Sequence, residues 1–106
     1  MKEFTFASQT IVLGTNQLEN HNLLTRKYPL DWMWLHAKNC SSGHAIICCS
    51  DPTSELIEFA AIQVKKGCKE KNNPNCKIEY TKLGNLELVP KSIGQVLVLN
   101  SKKITV

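Results

Sequence analysis

No apolar run in this chain approaches the ~20 residues that a helix needs to cross a bilayer, so a helical membrane span is excluded. Met1-Lys2-Glu3 precedes a stretch too short for the apolar core of a secretory signal, which predicts a soluble protein in a reducing, cytoplasmic compartment. There is no internal repeat, low-complexity tract or linker. The chain also lacks a Cys-x-x-Cys pair, a glycine-rich phosphate loop and a nucleophile elbow. Those absences argue against an enzyme and against a bound cofactor or small-molecule substrate. The five cysteines are odd in number and two of them, Cys48 and Cys49, are adjacent in an apolar run, so free thiols are expected, one of that pair in the core.

What is present suits a small globular domain. The 106 residues are enough for one core and too few for two, and 42% of them are hydrophobic, too many for a disordered chain. The formal charge of +4 is unevenly placed. Residues 1–53 balance, whereas residues 54–106 carry nine lysines against five glutamates, with bunches at 65–71, 77–82 and 102–103. Such bunching is compatible with a polyanionic partner.

Pro29 to Cys49 organises the chain. Two apolar runs, Trp32–Ala37 and Ala45–Cys49, flank a polar break, Lys38–Gly43, that contains Ser-Ser-Gly, and this reads as a β-hairpin. Because both runs are continuous rather than alternating, each strand is expected to be covered on both faces. His36 and His44 pair across the hairpin and are expected at its rim beside Lys38, Asn39, Ser41 and Ser42. Those donors suit a phosphate or a base edge. Equally, a histidine at a strand end is commonly a structural residue with its hydrogen bonds satisfied. His36, Cys40, His44 and Cys48 recur every four residues, a zinc-like spacing on a helix, but the Ser-Ser-Gly break argues against a helix and hence against a metal.

Before the hairpin, Phe4–Ala7 and Thr10–Leu13 are read as paired strands ending at Gly14, and Thr15-Asn16 caps a short helix over Gln17–Lys27 that Pro29 stops. Arg26 and Lys27 then oppose the helix dipole. After it, Asp51-Pro52 reads as the cap of the main helix, Ser54–Lys66, whose apolar stripe packs on the sheet and which ends at Gly67. A polar loop over Cys68–Asn75 follows. Lys65, Lys66, Lys69 and Lys71 gather at this corner, as a basic patch or simply a solvated face. Cys76–Lys82 alternates as a half-exposed strand, and Gly94–Leu99 with Ile104–Val106 reads as a closing hairpin. The fold class is α+β: a mostly antiparallel sheet of about six strands, one main helix and one minor helix.

Several short motifs then coincide. Trp34-Leu35-His36-Ala37-Lys38 followed by Ser41-Ser42-Gly43-His44 resembles the central motif of the NFACT-R domain of ribosome-associated quality-control factors of the Rqc2 type. Gly14, Glu19-Asn20 and Leu23-Leu24 upstream, and Gly67-Cys68-Lys69, Tyr80-Thr81, Asn85-Leu86 and Gly94-Gln95 downstream, fall in family order. Within the family the likeness is to the standalone members, the coiled-coil domain-containing protein 25 group, without their coiled-coil tail. The resemblance implies that residues 1–106 form a single NFACT-R-like domain that binds RNA and meets the ribosome at the large subunit, through rRNA or tRNA. Tail elongation, which needs other domains of the larger relatives, is not implied. The RNA-binding candidates are Asn20, Arg26, Lys27, His36, Lys38, Ser41, Ser42, His44, Lys65, Lys66, Lys69 and Lys71. A protein-interaction adaptor and a non-specific DNA-binding domain are the alternatives. Trp32 and Trp34, two apart on one strand face, are expected to pack in the core rather than form a stacking platform.

Overall fold

The computed structural model describes residues 1–38, 42–68, 76–88 and 96–106. Along the chain run β1 (Lys2–Phe6), β2 (Gln9–Leu13), α1 (Gln17–Thr25), β3 (Met33–Ala37), β4 (Ala45–Ile47), α2 (Ser54–Lys66), β5 (Lys77–Lys82), a 3-10 turn (Leu83–Asn85), β6 (Leu86–Leu88), β7 (Val96–Val98) and β8 (Lys102–Thr105). Six strands form one antiparallel sheet in the order β1-β2-β4-β3-β5-β8, while β6 and β7 pair as a separate two-stranded ribbon. The fold is α+β.

The first hairpin turns through Ala7 and Ser8, both at positive φ (50° and 66°), between the paired Phe6 and Gln9. Two left-handed residues match the natural twist of a two-residue hairpin, although neither is the glycine or asparagine that such a turn favours. The central hairpin pairs Met33 with Ile47, Trp34 with Ile46 and Leu35 with Ala45. Its strands are covered on both faces because the two layers are divided by strand alternation. Met33, Leu35, Ala37, Ala45 and Ile47 face Leu56, Ala60, Ala61 and Val64 of α2. On the opposite face Val12 and Ile46 pack with Leu23 of α1, and Tyr28, Trp32 and Leu83 close around them. Trp34 is fully buried, and Trp32 stacks on Tyr28 with ring centroids 5.2 Å apart, so neither tryptophan forms an open platform.

α1 has almost no amphipathic character and depends on its cap. The Asn16 Oδ1 accepts from the Glu19 N–H at 2.9 Å, and the Glu19 carboxylate accepts from the Thr15 N–H at 2.9 Å and its hydroxyl at 2.6 Å. The Met1 amine above all, then Thr15, holds the Glu19 carboxyl down to about 2. The helix stops at Thr25, with Arg26 as its C-cap, short of the expected Lys27 because the chain is already extended before Pro29.

Two expectations are corrected. α2 is capped by Thr53, whose hydroxyl accepts from the Leu56 N–H at 3.2 Å; Asp51 and Pro52 precede the cap rather than supplying it. The expected closing hairpin does not form either. Val96–Val98 pairs with Leu86–Leu88, and Lys102–Thr105 goes instead to the free edge of β5, so the two strands enter different sheets. Residues 69–75 of the expected polar loop and the start of the Gly94–Leu99 strand lie outside the described residues.

Candidate functional site

His44 is the centre of a buried polar knot. At the start of β4 its carbonyl accepts from the Gly14 N–H at 3.0 Å, and its own N–H donates to the Asn20 Oδ1 at 3.0 Å. The Trp34 indole N–H donates to its Nδ1 at 2.8 Å. Since an indole can only donate, Nδ1 is the unprotonated nitrogen of that ring. Two glycines make the close approach possible. A Cβ on Gly14 would lie 2.2 Å from the Asn20 Oδ1, and one on Gly43 would lie 1.9 Å from the Gly14 carbonyl oxygen. Asn20 therefore bridges α1 to β4. His44, expected at the rim, is only 5% exposed, because it sits where α1 closes over the sheet.

His36 lies over this knot. Its ring is stacked on Trp34 at 5.8 Å and lies 4.4 Å from the ring of His44, so the hairpin does bring the two imidazoles together. His36 is half-buried, and burial lowers its pKa from the ordinary 6.5, opposed in part by a hydrogen bond to the Ser42 backbone. Burial thus favours the neutral ring, which suits stacking or hydrogen bonding. The Ser42 hydroxyl accepts from the Ala37 N–H and donates to the Gly43 carbonyl, both at 3.1 Å, and so closes the hairpin end.

The cationic candidates separate into three regions. Lys38 is exposed just beyond His36. On the helix side, Lys65 donates to the Val106 carbonyl at 2.8 Å and ties α2 to the chain after β8, while Lys66 is exposed. Arg26 and Lys27 stand at the end of α1, where the Arg26 guanidinium donates to the Tyr28 hydroxyl at 3.1 Å. Arg26 also edges an apolar groove of about 270 Å³ lined by Leu23, Leu30, Leu86, Leu88 and Val96. Ser41, Lys69, Lys71 and Cys40 lie outside the described residues.

The register adds residues that were not among the candidates. Ala37 pairs with Ile78, and the Lys38 N–H donates to the Lys77 carbonyl at 2.9 Å, so Lys38 and Lys77 stand side by side on the His36 face. His36 is opposite Glu79, which in turn is opposite Lys103 on β8. Lys77, Glu79 and Lys103 are brought to the site by pairing across three strands. The alternation of Lys77 and Glu79 against Ile78 was the available signal for that face, but the partner strand could not be read from it.

Among the described residues no group of three or more His, Cys, Asp or Glu side chains is placed to hold a metal ion, and no helix is long and apolar enough to cross a membrane. Cys48 and Cys49 are free, half-buried thiols, while Cys68 and Cys76 are buried; burial, then Glu3, pushes the Cys48 thiol up.

With this geometry in view, the likeness to known proteins can be placed. No protein-family model matches the chain. Over 78 residues, 74% of the chain, it is 32% identical to the Rqc2 homolog RqcH from Bacillus subtilis (strain 168). That likeness supports a relation to the NFACT family. The matched segment spans 14% of the length of RqcH. In three dimensions the chain superposes on the C-terminal of the fibronectin/fibrinogen-binding protein from Streptococcus suis with a TM-score of 0.91, covering 98% of this chain and 44% of that one at 21% identity. At that identity the match establishes a shared fold.

Proposed function

We propose that this protein is a non-catalytic RNA-binding module that associates with the ribosome through large-subunit rRNA or tRNA, in translation or ribosome quality control. The similarity to RqcH over 78 residues carries the reading. The charge distribution supports it: the entire +4 excess falls in residues 54–106, and Lys38 and Lys66 are exposed cations on either side of the sheet. Lysines on phosphates would position the module without reading sequence, and the neutral His36 ring, beside Ser42, would meet an unpaired base. Asn20 and His44 would hold that hairpin end in shape. The likeness to the standalone group with coiled coils rests on the sequence motifs.

The test is sedimentation of tagged protein from a cell extract through a sucrose gradient at low and at raised salt, beside a combined Lys66→Glu/Lys69→Glu/Lys71→Glu variant. Lys65 is left alone, since its contact with the Val106 carbonyl would be lost as well. Co-migration with the large subunit that disappears in the variant and at raised salt supports the reading. Wild-type protein that stays at the top of the gradient at both salts refutes stable ribosome association.

A second reading, a protein-interaction adaptor, is favoured by the apolar groove beside Arg26 and by the exposed Leu30, Leu88 and Leu97. Salt separates the two. Phosphate contacts release counterions and weaken steeply with salt, whereas an apolar protein interface responds little. DNA in place of RNA is distinguished by competition between the two nucleic acids.

A further inference from the structure

We propose that the exposed sheet face where β3, β5 and β8 meet is the phosphate-backbone site for a single strand of RNA, built by Lys38, Lys77 and Lys103. The inference rests on the RNA-binding reading and names its surface, which is neither the α2 corner nor the knot around His44.

Strand alternation and register define that face. His36 is on β3 and Lys38 directly follows that strand, its N–H bonded to the Lys77 carbonyl; Lys77 and Glu79 are two apart on β5, and Lys103 of β8 is opposite Glu79, so all five lie on the side of the sheet away from α2. Lys38, Lys77, Lys103 and Thr105 are exposed. Neighbouring strands lie ~4.8 Å apart and alternate residues ~6.7 Å apart. Three lysine side chains therefore rise from neighbouring positions over one patch of the sheet.

Like charges directly opposite one another destabilise a sheet, and here Lys38 is beside Lys77 with Lys103 close by. Glu79 is the acidic member of this group and offsets one of the three cations. The crowding is visible on Lys103, whose pKa is lowered first by its contact with the Lys38 amine and by that charge, and further by Lys77, against the opposing pull of Glu79. Successive phosphates of a bound strand, one against each amine, replace repulsion by charge-assisted hydrogen bonds.

The face is also graded in chemistry. Its outer end is cationic, and its inner end is the half-buried His36 ring stacked on Trp34. A strand laid across it puts phosphate over the lysines and an unpaired base toward the imidazole, an arrangement open to a single strand and closed to a paired base.

The test is fluorescence anisotropy with a labelled oligouridylate over a series of potassium chloride concentrations. Loss of three phosphate contacts in the Lys38→Gln/Lys77→Gln/Lys103→Gln variant reduces the slope of log K against log salt by about 2, at roughly 0.7 per contact. Glu79→Gln, which unmasks the cations, tightens binding several-fold, a gain that a merely structural role does not produce. Lys102→Gln, paired with Tyr80 and so on the other face, leaves the slope unchanged. A cooperative thermal melt of each variant, no lower than the parent's for the triple variant, confirms that the fold is intact.

If the triple variant keeps the parent slope while Lys66→Gln lowers it, the site is at the α2 corner: the inference is overturned and the RNA-binding reading stands. If wild-type protein fails to bind the oligonucleotide at low salt, both are overturned. If polyglutamate binds the parent as tightly as the oligonucleotide and depends on the same lysines, the face is a site for acidic protein and the inference is overturned as well.

Discussion

Asn20 was singled out as an RNA contact, yet its side chain has a structural task that can be isolated. Its Oδ1 is the acceptor for the buried His44 N–H, and Asn20→Ala leaves that donor unsatisfied at a cost of about 1–3 kcal/mol. For a domain of this size each kcal/mol lowers Tm by about 4–8 °C. Gly14→Ala attacks the same bond from the other side, since its Cβ would sit 2.2 Å from the Asn20 Oδ1 and force the amide away. In an Asn20→Ala background that oxygen is gone, and only the milder crowding against the Asn20 backbone, at 3.0 and 3.2 Å, is left. The two substitutions should therefore cost less together than the sum of their separate costs, by about 1–3 kcal/mol, the energy of the bond each removes. Urea denaturation of the parent, both single variants and the double variant measures this directly. Additivity within about 0.5 kcal/mol would refute the account. An Asn20→Ala variant with parental stability and weakened RNA affinity would instead make the amide a ligand contact.

Trp34→Phe removes the donor to the buried His44 Nδ1 and is expected to cost about 1–3 kcal/mol in urea midpoint experiments. Gly43→Ala is expected to abolish cooperative thermal unfolding, because its Cβ would meet the Gly14 carbonyl oxygen at 1.9 Å and neither backbone can yield. Replacing Ala7-Ser8 by Asn-Gly keeps both positive φ values while removing the penalty on ordinary side chains, so stability should rise by about 1–2 kcal/mol. The pH dependence has a definite sign. His36 has a folded-state pKa below its unfolded value of 6.5, so below 6.5 the unfolded chain binds the proton more readily and stability falls until the folded pKa is reached. Tm recorded from neutral pH down through this window should decline less steeply for His36→Gln than for the parent.

The elements that the sequence made legible are those whose signal is local. α2 was readable because Leu56, Ala60 and Val64 recur at helical spacing, and the central hairpin because two apolar runs flank a polar break. The capping residue was not, since Asp51 and Thr53 both precede the stripe and only the approach of the Thr53 hydroxyl to the Leu56 N–H distinguishes them. β7 and β8 were misread because proximity in sequence suggested a hairpin. Val96–Val98 pairs back with Leu86–Leu88, and β5 offered an open edge that Lys102–Thr105 fills. The adjacency of His36 and His44 followed from the hairpin. The burial of His44 did not, because it depends on how α1 lies over β4.

The same distinction bears on where function is to be sought. Gly14, Asn20, Gly43 and His44 belong to the short motifs that carry the family resemblance, and the structure ties them to one another by hydrogen bonds and close contacts. They shape the hairpin end. Their contacts build the fold, and the fold is what this chain shares with the Streptococcus suis structure, at a TM-score of 0.91 and 21% identity. Lys77, Glu79 and Lys103 make no motif, and each looks like an ordinary solvated residue until β5 and β8 are paired. Their side chains are exposed or half-buried on the strand face and take no part in the buried clusters that hold the fold. On this argument the contrast between the Lys38/Lys77/Lys103 variant, which should melt like the parent and lose salt-dependent RNA binding, and Asn20→Ala, which should melt early, separates the residues that bind from those that build the surface.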